Sequence, residues 1–151
     1  MPLPSLSSLF IELILIGTLQ NPGKVAGVNG SLERAVLQNI LAYLASEVHP
    51  SIGGLFNPTI GEEVKQYLRG NASKKLAYLD VHVLNGGKQF LVGNSFSIAD
   101  SYLYIILTWT AYVGIDFSSF KNVASYFEGI SGLDIVKAGH ARIATSPSST
   151  L

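Results

Sequence analysis

Apolar residues recur along this chain at spacings of three and four, the period of a helix face, and almost nowhere alternate in the way a strand needs. A first helix is expected over residues 5–19, with Phe10, Leu13, Ile14, Ile16 and Leu19 as its apolar contacts and Asn21-Pro22-Gly23 as its stop. Ser31 caps a second, with Glu33 and Arg34 in its first turn and Ala35, Ile40, Leu41, Leu44 and Val48 in register. That helix covers roughly 20 residues, about 30 Å, before Pro50 and the pair Gly53-Gly54 bend or end it. Asn57-Pro58 opens a third, because a proline in the first helical position loses no hydrogen bond. Val64, Leu68, Leu76, Leu79 and Val83 carry it to a left-handed stop at Asn85-Gly86-Gly87, with Gly70 and Asn71 as a candidate kink.

The most distinct local signal comes next. Ser97-Ile98-Ala99-Asp100 has the form of a capping box and predicts a helix over 98–113. Tyr102, Leu103, Ile105, Ile106, Trp109 and Tyr112 leave that helix apolar on nearly every side, which predicts a place at the centre of a bundle. Leu91, in the connector 90–94, is expected to tuck inward. Shorter helices are expected over 119–130 and 133–143, followed by a disordered tail over 144–151, rich in serine and threonine. The chain therefore reads as all-α, a bundle of about six helices without internal repeats.

Composition narrows the picture. Of 151 residues 48% are hydrophobic and 13% charged, a balance that excludes a disordered chain. Ten basic and ten acidic residues cancel, leaving no basic stripe for a nucleic-acid backbone. There is no cysteine, so disulfides, thiolate metal sites and a thiol nucleophile are excluded, and a reducing, cytoplasmic setting is expected. The apolar run 9–19 is too short for a membrane span, is interrupted by Glu12 and follows no basic residue as a signal peptide would. It is expected to be a core or interface helix.

Two segments carry a family likeness. Residues 46–56 (SEVHPSIGGLF) resemble the Glu-x-His segment of beta-class glutathione transferases and their fungal relatives. Residues 90–103 (FLVGNSFSIADSYL) resemble the segment opening the central helix of the same family's C-terminal domain. The resemblance covers roughly 23–143 and implies that domain's all-helical fold, with residues 1–22 as an added apolar helix. In that family a thioredoxin-like domain comes first and supplies most glutathione contacts. This sequence shows no βαβ pattern and no cis-proline clamp, and only Phe10 to Gln20 matches that domain, as its last helix. Glutathione is therefore not expected as a cofactor.

The resemblance places His49 at the active-site cleft, where a neutral imidazole serves as general acid or base. The alternative is a histidine that only bonds a helix end. The family's basic residue after this histidine is here Pro50, which weakens any inherited anion site. Glu47, two residues earlier, points elsewhere on a regular helix. Trp109 matches the aromatic lining of the family's hydrophobic substrate site. Tyr43, Phe56, Tyr102, Tyr112 and Phe10 are candidates to complete an aromatic pocket, although rings at helical spacing also serve as plain core. Tyr102 and Tyr112 are further candidates for proton transfer or a hydrogen bond to a carbonyl. Ser97 and Asp100 are assigned a structural role. His82 and His140 lie on separate helices among polar neighbours, and the three histidines lack the carboxylate spacing of a metal site.

The sequence thus predicts a hydrophobic small-molecule ligand held in an enclosed cavity, an isomerase, cyclase or lyase of specialised metabolism working without glutathione, and a homodimer. Two alternatives stand beside it: a non-catalytic interaction module, and a residual transferase completed by a separate thioredoxin-like partner.

Overall fold

The computed structural model describes residues 25–145. The helix expected over 5–19, Phe10 with it, and the tail beyond residue 145 lie outside those residues. The described residues form helices and turns, with no strand among them.

Helix α1 (Leu32–Tyr43) begins as expected, with Ser31 Oγ accepting from the Arg34 amide at 3.1 Å. It does not run on uniformly. Leu44–Val48 forms a π-helical turn, after which α2 (His49–Gly53) and a 3₁₀ turn (Gly54–Phe56) complete the rod. Pro50 has no N–H for the carbonyl four residues back, so the α ladder fails there for a covalent reason. One inserted residue turns everything beyond it by about 100° about the axis, which sets the side from which His49 projects.

Helix α3 (Glu62–Tyr78) starts later than the sequence predicts, from Gly61. Asn57 forms a side-chain turn instead of opening a helix, its Oδ1 accepting from the amide and hydroxyl of Thr59 at 3.0 and 2.8 Å. Gly70 and Asn71 pass within α3 without interrupting it, and the break comes afterwards, as a second π turn at Leu79–Val83. Gly86 and Gly87 then take φ of 80° and 73°, the expected left-handed stop.

Helix α4 (Ile98–Val113) has the predicted bounds and ends at left-handed Gly114. Leu103, Ile106, Leu107 and Thr110 are buried against α1, α2 and α5 (Lys121–Ser131). Its apolar surroundings are not continuous, however. Ile105 is 40% and Tyr112 81% exposed, so α4 is a wall of the bundle with one outward face, not its enclosed centre. Helix α5 begins at Phe120, which has no side chain able to cap it. Asp80, from the second π turn, supplies the cap, its Oδ1 accepting from the amides of Asn122 and Val123 at 2.7 and 3.0 Å. Helix α6 (Asp134–Thr145) packs on α5 and takes in the first two residues of the expected tail. Leu91 is buried, as predicted.

Candidate functional site

Where the rod of α1 and α2 crosses α4, four aromatic side chains come together. The His49 Nδ1 and the Tyr102 hydroxyl are hydrogen-bonded at 2.7 Å. The imidazole meets the Trp109 indole edge to face, centroids 5.1 Å apart and planes at 74°. Phe56 stands against the other side of the cluster, 6.1 Å from Trp109 at 88°. Tyr102 and Trp109 are seven positions apart, two turns along one face of α4, while His49 arrives at the end of the π turn.

Gly53 makes this arrangement possible. A Cβ there would stand 3.1 Å from His49 Cδ2 and 3.4 Å from Nε2, so the ring lies against bare helix backbone. From sequence Gly53 reads as a helix stop, and nothing in the residue pattern marks it as the floor beneath an imidazole one turn away.

His49, Tyr102 and Trp109 are each half-buried and Phe56 is exposed. The cluster is therefore open to solvent on one side, where the sequence predicts an enclosed cavity. Partial burial still acts on the titrating groups. Loss of water pushes the His49 imidazole below its ordinary value of 6.5 and the Tyr102 phenol up to about 12. Near neutral pH the pair is an uncharged imidazole beside a protonated phenol.

The remaining candidates lie elsewhere. Tyr43 packs tilted against Tyr78, ring centroids 5.0 Å apart, donates to the Lys75 carbonyl at 3.3 Å and lines a separate hollow of about 110 Å³ with Asn39 and Leu79. Burial, then the neighbouring Tyr78 and Glu47, raises its hydroxyl to about 12. Tyr112 faces solvent and Phe10 falls outside the described residues. Glu47 pairs with Lys75, so it does not orient His49. Ser97 and Asp100 form the capping box. Asp100 does more than cap, since it also accepts from the Leu91 amide and the Tyr126 hydroxyl, each at 2.9 Å. Among the described residues no group of three histidine and carboxylate side chains is placed to hold a metal ion.

Sequence reasoning missed a second histidine–tyrosine pair. His140 Nε2 lies 2.9 Å from the Tyr104 hydroxyl, at a groove of about 190 Å³ between α4 and α6. The spacing of 36 residues crosses three helices, so no local signal reports it.

Comparison with known proteins gives a consistent result. Residues 39–134 match the family described as the glutathione S-transferase C-terminal domain. Glutathione S-transferase GstA of Escherichia coli O157:H7 is 31% identical over 69% of this chain and 50% of its own. A glutathione transferase structure from Methylococcus capsulatus superposes with a TM-score of 0.82, at 28% identity over 91% of this chain and 67% of that one. A sphingomonad glutathione S-transferase complexed with glutathione gives 0.79 at 33% identity, over 95% and 69%. The chain spans half to 60% of the length of the curated relatives it matches. No helix among the described residues is long and apolar enough to cross a membrane.

Proposed function

Because this chain belongs to the glutathione S-transferase family through its C-terminal domain, we propose that it binds a hydrophobic carbonyl compound against His49, Tyr102, Trp109 and Phe56 and moves a proton on it without glutathione. The observation that carries this reading is the 2.7 Å His49–Tyr102 contact, partly desolvated and walled by an indole. With Nδ1–H donating to the tyrosine oxygen, Nε2 keeps the lone pair of the imidazole. Nε2 then takes a proton from the carbon next to the carbonyl and returns it, while Tyr102 holds the imidazole in the orientation that step needs. That step serves an isomerase, cyclase or lyase of specialised metabolism that acts next to a carbonyl. A homodimer is the assembly we expect.

Proton exchange tests it without knowledge of the natural substrate. Incubated in D2O with 4-phenyl-2-butanone, the protein is expected to speed deuterium uptake next to the carbonyl, followed by NMR, and His49→Gln to lose that effect. Equal exchange in both proteins would refute the proton-transfer role.

Family membership favours a second reading, a transferase completed by a thioredoxin-like domain carried elsewhere. It predicts that glutathione raises the melting temperature in proportion to its concentration, whereas the first reading predicts a rise with the ketone alone. A non-catalytic interaction module predicts neither.

A further inference from the structure

Helix α4 carries a histidine–tyrosine pair on each of two sides. Tyr102 and Tyr104 are two positions apart, about 200° around the helix, so the His140–Tyr104 pair stands on the side that faces α6, away from His49. Tyr104 is 7% exposed. Phe127 stacks on its ring at 5.2 Å with the planes 20° apart, and Phe117 braces Phe127 edge to face at 5.4 Å. The phenol is therefore held in place before any ligand arrives, which leaves little ordering to oppose binding.

The groove beside this pair has a volume of about 190 Å³ and walls of Phe96, Ile105, Ile135 and Val136. Size limits what it takes. A cavity of about 150 Å³ lined by apolar side chains holds one benzene, whereas drug-sized ligands need about 300 Å³ or more. Chemistry limits it further. The polar groups on the groove are the hydroxyls of Ser101 and Tyr104 and the His140 imidazole, and among the described residues no carboxylate, lysine or arginine lines it. A charged ligand would lose water there without gaining a fixed opposite charge. A hydroxyl both donates and accepts, and so matches a histidine–tyrosine bond whose proton can sit on either partner.

We propose that this groove is a second binding site, for a neutral single-ring phenol whose ring lies between Ile105 and Val136 and whose hydroxyl joins the His140–Tyr104 bond. The inference stands apart from the proton-transfer reading, since neither His49 nor Tyr102 enters it. Gly139 also borders the groove, and a Cβ there would meet nothing within 4 Å, so a larger side chain can grow into the space without displacing its neighbours.

Three probes of one shape test it: p-cresol, toluene and p-toluate, each titrated into the protein while the ring signals of His140 and His49 are followed by NMR. The His140 signals are expected to saturate with p-cresol, with a Kd on the order of 1 mM for a ligand of that size, while those of His49 stay in place. Toluene is expected to bind about fivefold more weakly, the factor that one hydrogen bond supplies, and p-toluate no better than toluene. Gly139→Leu is expected to abolish the response, and Tyr104→Phe to reduce p-cresol to the level of toluene. Equal binding of p-cresol and toluene, tighter binding of p-toluate, or an undiminished response in Gly139→Leu would overturn the proposal. If a variant fails to fold, the wild-type titration still decides, since a p-cresol shift at His49 without one at His140 would equally overturn it.

Discussion

Helix α4 carries two polar clusters, one at Asp100 and one at Tyr102, that differ in almost every physical respect. Asp100 is fully buried, and its carboxylate accepts from the Ser97 amide and hydroxyl at 2.8 and 2.7 Å as well as from Leu91 and Tyr126. Both its oxygens are engaged, and burial together with the adjacent carboxylate drives the Tyr126 hydroxyl far above its ordinary range. Two residues on, Tyr102 and its partner His49 are half-buried, with Phe56 exposed beside Trp109. The first cluster is closed and ties the 90–97 connector and α5 to the start of α4. The second keeps one side open to solvent. A saturated buried network holds a fold together, whereas a partly wet pair of groups can still exchange partners.

Substitutions should separate the two clusters in order of size. Asp100→Ala leaves several buried donors without an acceptor, each worth about 1–3 kcal/mol, so urea unfolding is expected to show a loss of about 3 kcal/mol or more while the folded fraction keeps its ligand preference. Retained stability would contradict the closed-network account. Trp109→Ala is expected to cost about 2 kcal/mol, less than the 3–5 typical of a core tryptophan because the indole is half-buried, and to abolish ketone binding. Asp80→Ala removes the cap of α5 from a distance and is expected to cost about 1 kcal/mol, with no change in binding. Tyr102→Phe is expected to cost about 0.5–1 kcal/mol while removing the deuterium exchange promoted by His49.

The smallest effect concerns pH. Burial depresses the His49 imidazole, so on acidification the unfolded chain takes up its proton first and the folded chain later. Stability is then fully present above pH 6.5 and falls as the pH drops through the folded value. His49→Gln is expected to flatten that part of the profile. An NMR midpoint for His49 above 6.5 would reverse the sign.

How much of this was legible beforehand follows from range. The capping box, the Ser31 cap and the glycine stop after α3 are read over three or four residues, and all three are found where the local chemistry puts them. The start of α3 was misplaced because Asn57 satisfies a turn as well as it would open a helix. The π turns left no mark, since one extra residue per turn alters register without altering composition. Of the candidate residues, His49, Tyr102, Trp109 and Phe56 meet, but Tyr43 and Tyr112 share their helices and point elsewhere. Ring type and spacing do not reveal which side of a helix faces a partner 53 residues away. The Asp80 cap and the His140–Tyr104 pair are contacts of the same long-range kind.

Trp109 is the chain's one tryptophan, so its fluorescence reports on the proposed site without labelling. Titrated with benzylideneacetone at pH 7.5, the protein is expected to show saturable quenching that is lost in His49→Ala and is unchanged by millimolar glutathione. Linear quenching identical in both proteins, or a saturable response to glutathione in place of the ketone, would contradict the assignment of this cluster to a glutathione-independent ligand.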